Sequence, residues 1–229
     1  MTHQFRRERP LTQEWAEAGI TLAREHGFPV YLGPGAVLQG WARAEQGQSE
    51  EGISQIRQGL ANQEAIGAGI LKSYYLALLA EAYGKAGQAE EGLAALAEAL
   101  TVVDKTGERF YEAELYRLYG ELSLRIGETE TGRTGDRSLF FLPRFPDSFA
   151  KSPVSSPEEC FTRAIEIARR QSAKSLELRA VMSLSRLWQS QGKKEEGRQL
   201  LAEIYSWFTE GFETADLKEA KALLEELQD

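Results

Sequence analysis

Cysteine and histidine are almost missing from this chain. Its 229 residues hold one cysteine, Cys160, and two histidines, His3 and His26. A lone cysteine closes no intrachain disulfide and fits a reducing compartment. With so few soft ligands, and the two histidines far apart, no metal-ligand cluster of usual spacing can be assembled. Long apolar runs are missing as well, and none approaches the ~18 residues of a membrane span. The segment from Met1 to Pro10 is positively charged but has no apolar run behind it, so it is no secretory signal. Basic charge is in deficit: 27 Lys and Arg stand against 35 Asp and Glu, for a net charge of −8 and a pI of about 5.1. Phosphate backbones and anionic headgroups do not attract such a chain. A cytoplasmic chain with neither a nucleic-acid nor a membrane partner is expected.

Catalytic signatures are equally scarce. Gly67-Ala68-Gly69-Ile70-Leu71-Lys72-Ser73 is the nearest approach to a phosphate loop, but that loop needs glycine directly before its lysine, where this chain has Leu71. Gly33-Pro34-Gly35 lacks both a third glycine and a preceding strand. No Gly-x-Ser-x-Gly elbow is found, and Cys160 stands at a position where other segments carry glycine, which marks it for packing. No catalytic residue, cofactor or metal is expected in this chain.

What is present is a period of 40 residues. Gly27, Gly67 and Gly107 follow it, as do Gly47, Gly87 and Gly127, and Gly40, Ala80 and Gly120. Periodicity on this scale marks a solenoid of stacked units. In residues 70–106, Leu76, Leu79, Ala80 and Tyr83 make one helical face, and Gly84 to Gln88 ends that helix. A second helix from about Ala89 has Leu93, Leu96, Ala99, Leu100 and Val103 inside. The turn between helices recurs as Gly47-Gln48-Ser49-Glu50-Glu51-Gly52, Gly87-Gln88-Ala89-Glu90-Glu91-Gly92 and Gly192-Lys193-Lys194-Glu195-Glu196-Gly197. Ser49 is expected to cap its helix, and the paired glutamates suit the positive end of the helix dipole. Small residues recur where the two helices must approach: Gly40, Ala80, Gly120 and Ser185 on the first, Gly52, Gly92, Cys160 and Gly197 on the second. Glycine within a helix costs about 1 kcal/mol against alanine, so its recurrence at one register implies a packing need.

This pattern resembles the tetratricopeptide repeat (TPR): a large residue, a large-small pair three and four positions on, then an aromatic, followed by small, large, small. It is carried by Leu76, Leu79-Ala80, Tyr83, Gly92, Leu96 and Ala99. It recurs in Tyr116, Tyr119-Gly120, Ser123, and in Val181, Leu184-Ser185, Trp188, Gly197, Leu201, Ile204. A weaker copy is Ala36, Gln39-Gly40, Arg43, Gly52, Ile56, Gly59. The fold implied is all-α, a right-handed superhelix of antiparallel helix pairs, with longer helices than the usual 34-residue unit allows. The expected organisation is a single array over 1–229. It begins with a second-type helix at 11–26 that has no first helix before it and an inner face of Trp15, Ala18, Gly19, Leu22 and Ala23. Units then cover about 28–67, 68–107, 108–173 and 174–211, and an amphipathic cap occupies 214–228 with Leu217, Ala220, Leu224 and Leu227 on one stripe. The third unit carries an insert, about 128–155, because the Glu pair due at 130 appears at Glu158-Glu159. Its composition, with Pro143, Pro146 and Pro153 and the apolar run Leu139-Phe140-Phe141-Leu142, is that of a non-helical surface loop. Ser156-Pro157-Glu158 then restarts a helix with a cap, a first-position proline and an acid.

Three blocks are more specific: Phe110 to Leu122, Ala173 to Ala180, and Trp207 to Ala220. They resemble the C-terminal TPR region of bacterial signalling proteins that carry a class III adenylate/guanylate cyclase domain, a STAND-type ATPase domain, or both. The resemblance implies a noncatalytic protein-interaction scaffold, or an effector-sensing limb that regulates upstream ATPase or cyclase domains. In a TPR array the first helices line the concave groove. By register the groove positions are Tyr74, Ala77, Glu81 and Lys85, then Glu114, Arg117, Glu121 and Arg125, then Arg179, Met182 and Arg186. The groove is expected to be basic toward Arg179 and Arg186 and to take a protein or peptide partner bearing carboxylates.

Overall fold

The glycine period becomes geometry at the helix ends. Gly27, Gly47, Gly67, Gly87, Gly107 and Gly192 all lie in the left-handed region, with φ between 68° and 92°. A side chain is strained there and glycine is not, so each helix stops at a fixed place. The computed structural model describes residues 1–134 and 156–228. Among them the regular structure is helical: eleven α-helices and one short 3-10 turn, with no strand. The chain divides into two compact units, Met1–Glu108 and Arg109–Asp229.

The first unit contains α1 (Thr2–Phe5), α2 (Arg9–Glu25), α3 (Leu32–Glu45), α4 (Ser49–Ala65), α5 (Lys72–Lys85) and α6 (Ala89–Thr106). α3 pairs with α4 and α5 with α6. Small residues set the approach of α3 and α4. A Cβ added at Gly52 would sit 2.5 Å from the Gly40 carbonyl oxygen, and one at Gly40 would sit 2.7 Å from that of Gly52. The predicted inner faces of the second pair are buried at Leu76, Leu79, Ala80, Leu93, Leu96, Ala99, Leu100 and Val103, while Tyr83 is only partly covered. Burying each such side chain contributes roughly 1.5–3 kcal/mol. The expected face of the helix at 11–26 needs correction. α2 buries Thr12, Ala16, Ile20 and Ala23, whereas Trp15 is 63% exposed and Leu22 56%. α2 is covered chiefly where it meets α3, with smaller contacts from α1 and the 3-10 turn.

The second unit contains α7 (Glu112–Thr134), α8 (Pro157–Arg170), α9 (Lys174–Ser190), α10 (Lys194–Tyr205) and α11 (Ala215–Glu226). Pairs form between α7 and α8 and between α9 and α10, and α11 packs on both members of the second pair. Cys160 is fully buried in α8 and Gly197 in α10 faces Ser185, as the register requires. α11 buries Leu217, Ala220 and Leu223, Leu227 just past its end is buried too, and Leu224 is only partly covered. Gly127 departs from its series. It is buried inside α7, which continues to Thr134, so residues 128–134 are helical although a loop was expected. The turns at 47 and 87 are followed at once by a new helix start; after 127 that start is displaced to Ser156, and an established helix propagates at little cost. The rest of the expected insert, 135–155, lies outside the described residues.

The caps split in the same manner. The Ser156 hydroxyl accepts from the Glu159 amide at 3.2 Å, with Pro157 at the first helical position. Ser49 is not a cap: Gln48 holds that position, without a side-chain bond, and Ser49 begins the helix. The paired glutamates do lie in the first turns of α4, α6, α8 and α10.

Candidate functional site

α3 and α5 bring the first group of expected groove residues together. The fully buried Trp41 of α3 donates its indole N–H to Glu81 of α5, one 40-residue period away. At the next turn Lys85 stands 3.3 Å from Glu45, whose carboxylate also takes Arg9 of α2 at 3.1 Å. Tyr74 is buried rather than lining an open surface. Its hydroxyl donates to Gln4 Oε1 at 2.7 Å and its ring lies 5.4 Å from that of Phe5. The chain's own first turn, α1, thus covers that part of the groove, and Gln4 is itself buried. Nothing in the basic, polar opening of the sequence signals this contact, which needs the tyrosine 70 residues on.

The glycine segment 67–73 ends in a capped helix. Leu71 adopts φ 62° before α5, its N–H donates to Glu108 at 3.1 Å, and the Ser73 hydroxyl donates to the same carboxylate at 3.2 Å. The carboxylate of Glu108, just past the end of α6, therefore occupies the place where an anion would bind a helix N-terminus.

In the second unit α7, α9 and α11 hold an interleaved set of acids and bases. Arg117 grips Glu114 with two parallel N–H donors, at 3.0 and 2.7 Å, and reaches Glu121 on the next turn. Ser183 of α9 donates to Glu121 at 2.8 Å. Arg179, buried, lies 2.8 Å from Asp216 of α11 and 3.6 Å from Glu114. Arg186 meets Glu219 at 2.7 Å on the exposed side. Burial pushes the Glu121 carboxyl up, but Arg117 and Ser183 outweigh it and hold it below its ordinary value. Burial alone would make Arg179 easier to deprotonate; Glu114 and Asp216 reverse that and raise it. Removing one partner of such a buried cluster typically costs about 3–5 kcal/mol, because the other charge is left uncompensated.

The eleven expected groove residues thus fall into three kinds. Tyr74, Ala77, Glu114, Arg179 and Met182 are buried, so they hold the helices together, while Lys85, Arg125 and Arg186 are exposed. Glu81, Arg117 and Glu121 are partly covered. The basic end expected at Arg179 and Arg186 is answered by Asp216 and Glu219. Sequence reasoning missed these two because their pairing depends on how α11 docks on α9.

Chemistry is little favoured by these groups. Burial pushes the Cys160 thiol up to about 12, which leaves almost no thiolate at neutral pH. No group of three His, Cys, Asp or Glu among the described residues could hold a metal ion. Among the same residues no helix is long and apolar enough to cross a membrane.

Solved structures share this arrangement of helix pairs. A Podosopora anserina kinesin light chain with nearly identical TPR-like repeats is 17% identical, with 87% of this chain and 94% of that chain covered at a TM-score of 0.51. BtubC (BKLC) from P. vanneervenii is 14% identical, with 98% of this chain and 89% of that chain covered at a TM-score of 0.55. No protein-family model and no curated protein matches the chain. The chain therefore has a TPR-like, all-α repeat fold. Neither similarity bears on a cyclase or a STAND ATPase.

Proposed function

We propose that this chain is a noncatalytic protein-interaction scaffold whose first-type helices receive a carboxylate-bearing peptide segment. The observation that carries the reading is the exposure of two arginines on those helices, Arg125 of α7 and Arg186 of α9, the helices that also carry the buried ion network joined to α11. The Arg186–Glu219 pair has both side chains about two-fifths exposed, and such pairs contribute little. A partner carboxylate can replace Glu219 there at small cost. Selection of a displayed peptide library on the full chain tests this. Binders should be rich in Asp and Glu, and Arg125→Glu with Arg186→Glu should weaken them by roughly tenfold or more, as charge reversal at an interface does. Binders without acids, or unaffected by the double substitution, would overturn it.

One observation favours a second reading, the regulatory limb of a bacterial signalling enzyme with cyclase or STAND ATPase domains. The three blocks that carry that resemblance contain Glu114, Arg117, Glu121, Arg179, Asp216 and Glu219, which are members of the ion network. On this reading the clamp also has a released arrangement, and an effector that binds one of the two states better shifts the balance between them. In an enzyme of that type bearing this segment, the pair Arg179→Met and Asp216→Leu should shift the basal rate severalfold. A rate equal to the parent's would end the idea.

A further inference from the structure

We infer that the Tyr74 site in the groove of the first unit binds a one-turn helical segment of a partner protein that presents a carboxamide followed by an aromatic ring, and that residues 2–8 of the chain fill this site in cis as a competitor. Tyr74 belongs to α5, the first helix of its pair, and stands at a groove position by register. It meets α1 where a groove residue would meet solvent. Its hydroxyl donates to Gln4 Oε1 at 2.7 Å, and its ring lies 5.4 Å from that of Phe5. Gln4 is 1% exposed. A carboxamide is seldom buried so deeply, and here a phenol from 70 residues along the chain satisfies it. The occupant therefore shows what the site recognises: a carbonyl acceptor for the Tyr74 hydroxyl, and beside it a ring for the Tyr74 face.

The register separates this contact from the ordinary stacking of the array. Helix ends in the first unit recur every 20 residues, at Gly27, Gly47, Gly67, Gly87 and Gly107, and the step before Gly27 is Arg7, with φ 56°. By that spacing residues 2–5 match 42–45 of α3 and 82–85 of α5, the last turns of first-type helices. A turn in that place is expected beside α3, as α3 lies beside α5, with Gln4 level with Ala44 and Gly84. Gln4 meets Tyr74 instead, one helix further on and in the first turn of α5, about 15 Å along the axis from Gly84. α1 thus crosses the groove, as a ligand would. It is also poised to exchange. A single turn is far below the length at which a helix is stable by itself. Its joint to α2 puts an arginine in the left-handed region where the other joints have glycine, so release relieves strain. Phe5 is only half-covered, and the Gln4–Tyr74 bond joins neutral groups, which contributes less than a charged one. The His3 and Arg6 side chains turn back to Glu8, at 2.5 and 3.1 Å, and so close on the segment's own joint. The site uses neither Arg125 nor Arg186, so it goes beyond the acidic-peptide reading.

The test uses the full chain and a peptide with the sequence of residues 1–10, labelled with fluorescein at its C-terminal end. Gln4→Ala with Phe5→Ala empties the site in cis. Fluorescence anisotropy should show the peptide binding this variant roughly tenfold or more tightly than the parent, whose own segment competes at the about millimolar effective concentration of a short tether. Adding Tyr74→Phe, which keeps the ring and removes the donor, should lose severalfold of that gain. A peptide carrying the same two alanines should not bind. Arg125→Glu with Arg186→Glu should change none of this, which separates the Tyr74 site from the acidic-peptide reading. Circular dichroism should show the variants as helical as the parent. Should the double variant lose helicity, Tyr74→Phe alone decides: with its anchor loosened, trypsin should cut after Arg7 severalfold faster than in the parent. Absence of saturable binding, equal binding by parent and double variant, equal binding of the alanine peptide, or equal cleavage of Tyr74→Phe and parent would each overturn the inference.

Discussion

Gly52 and Gly19 are both helical glycines, and their surroundings give them opposite roles. At Gly52 an added Cβ runs into backbone, 2.5 Å from the Gly40 carbonyl oxygen, where no side chain can yield. Gly52→Val should therefore destabilise the fold by about 1–3 kcal/mol, the range for forced overpacking in a core. At Gly19 nothing lies within 4 Å. Gly19→Ala should gain up to about 1 kcal/mol through helix propensity alone. Urea denaturation of the three chains checks the pair, and equal midpoints for the two variants would remove close approach as the reason for the glycine register. From the sequence, Gly52 is legible as a packing residue because it recurs at 92 and 197. Gly19 also matches the period, yet its open neighbourhood depends on what else packs against α2. Trp15 and Leu22 were misassigned for the same reason, since an apolar stripe on a helix does not say whether a partner covers it.

Elements are bounded by local chemistry and joined by contacts that sequence does not display. The left-handed glycines, Ser156 with Pro157, and the first-turn glutamates fix where helices begin and end, and these were legible. The ion network between α7, α9 and α11 was not, because Arg179–Asp216 and Arg186–Glu219 each join residues on helices two elements apart. Its titration has a defined sign. Glu121, pushed up by burial but pulled further down by Arg117 and Ser183, ends below its ordinary value, and Glu177 does likewise between Arg169 and Lys174. A carboxylate depressed by folding stabilises the protein above its ordinary value and loses that contribution as pH falls through the folded value. The melting temperature should hold steady from pH 7 to about 5 and decline below that range. Glu121→Gln, which keeps an acceptor for Ser183 but loses the charge beside Arg117, should cost about 1 kcal/mol at pH 7 after allowance for solvent screening. It should also flatten the acid decline. Thermal melts across that pH range check this, and parallel profiles for parent and variant would show that Glu121 is not a contributor.

For the whole molecule, three glycine series at one 40-residue period were enough to determine an all-α stack of helix pairs. A repeated unit with one apolar face per helix has few other ways to bury it, and that constraint is local enough to be written into spacing alone. Composition likewise determined the scarcity of metal ligands and the acidic surface. Only the tertiary structure decided three other things: that α1 folds back to Tyr74, that α11 brings acids to the groove arginines, and that one face of α2 stays open. Each depends on which helix lies beside which, and on distances between residues 33 to 70 positions apart. Spacing along the chain records a helix's own faces; it does not record the side chains of the neighbour that meets them.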